Sequence, residues 1–349
     1  MSRLDETYAL VSISSLSHHE ATLANHVEQV LRANPSLEVE RVGDNVVART
    51  TGHHATRVIV AGHLDTVPGD ASAAVVDGNE LRGLGACDMK GSLAVMLALA
   101  LEDQPRSVEV TWIFYAREEI SRAESGLLEL IELRPDLVSG DVAILGEPTG
   151  GVVEAGCQGT LRVRVDMLGR RAHTARPFTG RNAIHRVAEV ITRVALYEPR
   201  AVTLDGVEYC EQLQVVAVEG GVAPNVVPDA ASVTINHRVA PDRSRDEAVS
   251  WLRGFLADFL EDGDELTVVD SAPSAAPNLS NARLAALVGL TGESARGKAG
   301  WTDVATFQEL DIPATNFGAG DPLLAHRSDE KVTLEELEIY ERVLGEWLT

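Results

Sequence analysis

From position 57 onward the chain alternates short, β-branched apolar runs with one long apolar stretch of helical length. RVIVAG (57–62) reads as a buried strand, SLAVMLALALE (92–102) as a helix, and VEVTWIFYA (108–116) and DVAILG (141–146) as two further strands. Strands alternating with helices predict an α/β fold whose mixed, mostly parallel sheet is flanked by helices.

Between 160 and 270 the pattern changes. TLRVRVDML, a helix through RNAIHRVAEVITRVAL, QLQVVAVEG, ASVTINHRV, a helix after Ser244 and ELTVVD follow in turn. This is β-α-β-β-α-β, the order of an α+β ferredoxin-like unit. Its second helix opens with Ser244 and Glu247 in capping-box spacing. Past the loop SAPSAAPNLS the α/β pattern returns, with helices near 281–290 and from Asp303, the strand IPATNFG and a closing helix from Thr333. The expected organisation is therefore one domain of residues 1–159 and 275–349, interrupted by an inserted domain of residues 160–274.

A length of 349 residues with 45% apolar and 24% charged positions suits a two-domain globular protein. The 53 acidic and 30 basic residues give a formal charge of -23, which repels nucleic acid and anionic membrane but not a small anion met by a few local arginines. Three dispersed cysteines, Cys87, Cys157 and Cys210, make no disulfide framework and fit a reducing compartment. The N-terminal MSRLDETYAL lacks a basic segment followed by an apolar one, and the longest apolar run, 93–101, is far below the ~20 residues that cross a bilayer. A cytoplasmic protein is expected.

In open α/β sheets, sites lie beyond the carboxyl ends of the strands. Three buried runs end on chemistry: RVIVAG at His63 and Asp65, VEVTWIFYA at Glu118 and Glu119, and DVAILG at Glu147. His63 and Asp65, two apart on extended chain, form either a structural hydrogen bond or a metal ligand whose ring the aspartate orients. Asp88, in GLGACDMKG, is either the N-cap of the following helix or a carboxylate turned inward between two cations. Adjacent Glu118 and Glu119 repel unless a positive charge lies beside them; one can bind metal while the other takes a proton. With His326 the set is two histidines and three carboxylates, a donor mix that suits zinc. Two such ions sharing a carboxylate lower the pKa of water toward ~7, and Glu118 is the candidate base. His173, in GRRAHTARP, is either part of an exposed basic loop or a cationic donor to an oxyanion or a substrate carboxylate.

Together, AGHLDTVP, GLGACDMKG, the Glu118-Glu119 pair, GEPT, GRRAHTARP, NVVP, GWTDVATF, GAGD and AHRSDE resemble the di-zinc metallopeptidase family of aminoacylase, carboxypeptidase, acetylornithine deacetylase and succinyl-diaminopimelate desuccinylase. The resemblance covers nearly the whole chain. It implies that His63 and Glu147 hold one zinc, that Glu119 and His326 hold the other, that Asp88 bridges, that Asp65 orients His63 and that Glu118 is the base, with Co2+ as a substitute metal. It further implies that the inserted domain is a lid that forms a homodimer and that His173 reaches the partner's site. Thr160, Arg176, Asn225, Arg238 and Thr302 match positions that contact substrate.

EAGCQGTLRV, RAHTARPFTGRNAIH and GWTDVATF are most similar to the actinobacterial desuccinylase branch, which implies hydrolysis of N-succinyl-LL-2,6-diaminopimelate; deacetylation of acetylornithine or another N-acyl amino acid, or a related metallo-aminoacylase or carboxypeptidase activity, is the alternative. Two positions depart from the usual pattern. Thr306 stands where such enzymes often carry an arginine, and Pro224 where they often carry a small or amide residue. If that arginine grips a substrate carboxylate, the role passes to Arg176, Arg181 or Arg238, or else the substrate differs.

Overall fold

The computed structural model describes residues 2–69, 74–102 and 104–349, and these form two compact units. In chain order, helices α1 (Arg3–Val11) and α2 (Ala21–Arg32) lead to strands β1 (Leu37–Val42), β2 (Asn45–Thr50) and β3 (Arg57–His63). Helix α3 (Gly91–Leu101), strand β4 (Glu109–Tyr115), helix α4 (Gly126–Leu133) and strand β5 (Val142–Leu145) follow. Next come β6 (Gly159–Leu168), α5 (Ala183–Ala195), β7 (Gln212–Gly220), β8 (Ala230–Val239), α6 (Arg245–Leu256) and β9 (Glu265–Ala272). The chain closes with α7 (Ala282–Thr291), α8 (Val304–Glu309), β10 (Ala314–Asn316) and α9 (Leu334–Leu348).

The first unit comprises residues 1–156, 277–296 and 303–349. Its sheet runs β1-β2-β4-β3-β5-β10 and continues into the short strand Glu154–Ala155. Strands β4, β3, β5 and β10 are mutually parallel, and β1 and β2 join antiparallel at one edge. Parallel strands covered on both faces carry apolar side chains at successive positions, and β4 is buried along its whole length. Helix α3 is apolar all round, as a helix enclosed by its own domain must be, and only Ala98 and Leu101 of it escape full burial. Gly62 allows the strand to lie against it: a Cβ there would meet Met89 Cε at 2.4 Å and Leu93 Cδ2 at 2.7 Å. Helix α9 starts on a capping box in which Thr333 and Glu336 each accept the other's backbone N–H.

The second unit comprises residues 157–276 and 297–302. Its antiparallel sheet runs β7-β8-β6-β9. That order, with α5 and α6 as the crossovers, is the ferredoxin-like arrangement. Alternate residues of β6 and β8, among them Leu161, Val163, Val165, Val233 and Ile235, form its core with Val187, Val190 and Leu252 of the helices. The capping box at Ser244 and Glu247 is formed. Residues 297–302, expected with the first domain, belong with this unit, where the Cys157 thiol donates to the Thr302 carbonyl oxygen. No helix of the described residues is long and apolar enough to cross a membrane.

Candidate metal centre

His63 is the last residue of β3 and is buried. Its Nε2 lies 3.1 Å from Asp88 Oδ1, and its Nδ1 is held at 3.0 Å by the backbone carbonyl oxygen of Asp65. The carboxylate of Asp65, expected to take that ring N–H, stands farther off at 3.6 Å. Its oxygens serve another purpose. They accept the backbone N–H groups of Glu118 and Glu119, each at 3.0 Å, and the hydroxyl of Ser17 at 2.8 Å. One buried carboxylate thus sets the end of β3 and the turn after β4 against each other.

That turn is tightly specified. Arg117 sits in the left-handed region at φ 60°, its N–H bonded to Glu20 Oε1 at 3.0 Å and its guanidinium to Glu129 at 2.7 Å. A non-glycine residue pays for such a φ only where its surroundings over-determine it. The reversal brings both Glu118 and Glu119 into the site instead of sending one to each face of the sheet.

Asp88 lies in a short segment whose φ/ψ are not helical, and it caps nothing: α3 has no side-chain N-cap bond. The N-cap alternative is therefore excluded. Its carboxylate offers Oδ1 to His63 Nε2 at 3.1 Å and Oδ2 to His326 Nε2 at 3.3 Å, one oxygen to each histidine. His326 Nε2 also lies 3.0 Å from Glu119 Oε1. Donor atoms of His63, Asp88 and Glu119 all fall within 4.8 Å of one another. Glu147, just beyond β5, is buried, and its charge is among the chief influences on Glu118.

The electrostatics follow from this crowding. Burial and the carboxylates of Glu147, Glu119 and Asp303 push Glu118 well above the usual carboxyl range, against the pull of His63. Burial disfavours the charged imidazole of His63, yet Asp65 and Asp88 outweigh it and hold the group well above its ordinary value. His326, half-exposed between Asp88 and Glu119, is raised to about 10. Asp88, although buried, is held well below the carboxylate range by the two histidines. The carboxylates around both histidines favour positive charge there, which a metal ion supplies in place of the imidazole protons.

Beside the cluster lies a group not anticipated from the sequence. Asp303 is buried; its Oδ1 accepts the Thr306 hydroxyl at 2.6 Å, and Tyr115 stands next to it. The Arg122 guanidinium donates to Thr306 Oγ1 at 3.3 Å and pairs with Glu309. A guanidinium is therefore present at the position where Thr306 departs from the usual arginine, and it comes from the turn after β4. Arg181, one of the residues considered as a substitute, is paired with Glu261.

His173, Thr160, Arg176, Asn225, Arg238 and Thr302 all lie in the second unit. His173 and Asn225 are neighbours there: the strand Ala172–His173 pairs with Val226–Val227, and Thr174 N–H donates to the Asn225 carbonyl. His173 Nδ1 accepts the N–H of Ala175 at 3.0 Å, which leaves the ring proton on Nε2. Thr160 and Arg238 are cross-strand partners. Arg176, Asn225 and Pro224 are exposed and Thr302 is buried.

The family profile of peptidases M20, M25 and M40 matches residues 59–349. The chain belongs to peptidase family M20/M25/M40. Within this family it is 41% identical over 351 residues to the succinyl-diaminopimelate desuccinylase of Corynebacterium glutamicum, covering 98% of this chain and 95% of that one. To a Mycobacterium tuberculosis protein provisionally given the same name it is 47% identical over 348 residues, with 98% of each chain covered. The fold is shared with a Staphylococcus aureus tripeptidase at a TM-score of 0.81 and 20% identity, covering 99% of this chain and 97% of that one. It is shared also with the M20 family metallo-carboxypeptidase of Sulfolobus solfataricus, at a TM-score of 0.76 and 17% identity over 99% and 98% of the chains. This M20 chain is accordingly a metal-dependent hydrolase.

Proposed function

We propose that this M20 hydrolase is a cytoplasmic, zinc-dependent succinyl-diaminopimelate desuccinylase, which cleaves N-succinyl-LL-2,6-diaminopimelate to succinate and LL-2,6-diaminopimelate. The observation that carries the metal reading is the Asp88 carboxylate, divided between His63 and His326 with Glu119 against the second histidine. The crowded carboxylates suit a pair of cations, between which Asp88 would be the shared ligand. His63 and Glu147 would hold one ion and Glu119 and His326 the other, with Co2+ as an alternative to Zn2+. When bound, the pair polarises the amide carbonyl and acidifies water.

The remaining steps belong to the protein. Glu118, kept basic by burial and by its carboxylate neighbours, removes a proton from water as the oxygen adds to the amide carbon. The C–N bond then breaks and the same proton passes from Glu118 to the departing nitrogen. Asp65 keeps Glu118 and Glu119 in place by holding their N–H groups. His173, with its proton on Nε2, is the donor for the developing oxyanion. Thr160, Arg176, Asn225, Arg238 and Thr302 contact the substrate.

The acyl preference rests on the relatives and on cationic groups able to meet a second carboxylate. Purified, zinc-loaded protein should turn over succinyl-diaminopimelate with a kcat/KM at least about 100-fold above that for acetylornithine, which is about 2.7 kcal/mol of differential transition-state binding. A preference for acetylornithine would overturn the succinyl assignment and leave the metal site untouched.

A further inference from the structure

Glu330 is buried and has no part in the chemistry described above. Its Oε1 accepts two consecutive backbone N–H groups, those of Cys87 and Asp88, each at 3.0 Å. The Gly85 N–H adds to the same carboxylate. The 85–88 segment cannot satisfy these groups itself, because Asp88 and Met89 leave the helical region and no regular ladder runs through them. Buried N–H groups without partners are costly, so the acceptor has to come from elsewhere. It comes from the segment that also carries His326.

The consequence is geometric. His326 and Glu330 stand at the two ends of one short loop: the Glu330 N–H bonds the Arg327 carbonyl oxygen, and the strand Lys331–Thr333 then pairs with Glu80–Arg82. One end of this loop places its imidazole 3.3 Å from Asp88 Oδ2, while the other grips the backbone of that same residue. The direction of the Asp88 side chain, with one oxygen toward each histidine, is fixed by where its own N–H is held. Asp65 does the corresponding work for Glu118 and Glu119.

We infer that Glu330 is a positioning residue of the metal centre, an acceptor that locks the Asp88 backbone to the His326 loop so that the Asp88 carboxylate spans the two metal positions. The inference rests on the reading of Asp88 as a shared ligand. It requires an acceptor oxygen at this place and no negative charge, so glutamine should serve and alanine should not.

The test uses the full chain as wild type, Glu330→Gln and Glu330→Ala. Hydrogen exchange on chelator-treated protein is followed in peptides covering residues 84–90, and zinc affinity is measured by competition with a chromophoric chelator. Glu330→Ala should speed exchange of the Cys87 and Asp88 amides at least about 10-fold and weaken zinc binding about 10- to 100-fold, the range found when outer partners of metal ligands are removed. Glu330→Gln should stay within about 3-fold of wild type on both measures. Unchanged exchange and affinity in Glu330→Ala would overturn the inference, and so would a glutamine variant as impaired as the alanine one. Should Glu330→Ala fold poorly, the glutamine variant alone decides, since near-normal zinc affinity there supports the acceptor role and a large loss refutes it. Wild-type protein that takes up no zinc while the exchange pattern holds would count against the proposed metal centre and leave the backbone lock standing.

Discussion

Glu118 shows what a single residue owes to its surroundings. A carboxyl raised by burial and by like charges costs the folded protein stability whenever it is ionised. Folded and unfolded states bind protons alike well below the unfolded carboxyl value of ~4.3, and the raised group destabilises as pH climbs above that point. Glu118→Gln removes the charge at nearly constant shape. Metal-free Glu118→Gln should therefore melt above the wild type at pH 7 to 8, and the gap should close toward pH 4. The same substitution removes the proposed base, so turnover should drop at least about 1,000-fold with zinc content near normal. Zinc-loaded activity measured beside metal-free melting curves checks both halves, and a variant that is active would refute the role of Glu118. His63, Glu118, Glu119 and Glu147 stood out as candidates because they follow buried apolar runs. Glu20, Ser17 and Glu330 did not: Glu20 and Glu330 accept backbone N–H groups 97 and 242 positions away, the Ser17 hydroxyl donates to a carboxylate 48 positions away, and no local spacing reports such partners.

At the scale of elements, periodicity carried most of the reading. The run at 92–102 became α3 and the closing helix began on Thr333, while the six elements expected between 160 and 270 came in that order, with short strands such as Ala201–Leu204 and Val207–Cys210 added between them. Where patterns were short the reading stopped. The three-residue strands Val75–Asp77, Glu80–Arg82 and Lys331–Thr333 form a small sheet that no periodicity could announce. Helix α2 was in principle readable, with Leu23, Ala24, Val27 and Leu31 on one buried face. The segment before α3, where Asp88 was read as either an N-cap or an inward-turned carboxylate, takes its hydrogen bonds from Glu330 and not from the helix. Capping can be tested directly at α9, which packs on α3. Thr333→Ala removes an acceptor for the Glu336 N–H and should cost about 1 kcal/mol, lowering the thermal midpoint by a few degrees, whereas Thr333→Ser should restore it. An alanine variant as stable as wild type would show that the sheet strand before the helix, and not the cap, fixes its start.

For the whole molecule, the inserted unit was recognisable because the chain leaves a parallel pattern for an antiparallel one and then returns. Neither oligomeric state nor the working position of His173 is encoded in any such pattern. His173 and Asn225 sit together on adjoining loops of the second unit, and the imidazole keeps its donor on Nε2. If the unit forms a homodimer and His173 serves the partner's metal centre, each active site is assembled from two chains. Two defective variants then become complementary. His173→Ala protein retains its metal centre but lacks the donor, and should lose about 100- to 1,000-fold in kcat, as removal of one oxyanion donor does elsewhere. Glu118→Ala protein keeps the donor but lacks the base. After subunit exchange, half of the subunits in a one-to-one mixture reside in heterodimers. Each heterodimer carries one site with both residues intact and one with neither, so about a quarter of all sites should regain wild-type turnover. Activity near that fraction would establish a site shared between chains. A mixture no more active than its components, under conditions where tagged subunits are seen to exchange, would place His173 in its own chain's site or outside the chemistry altogether.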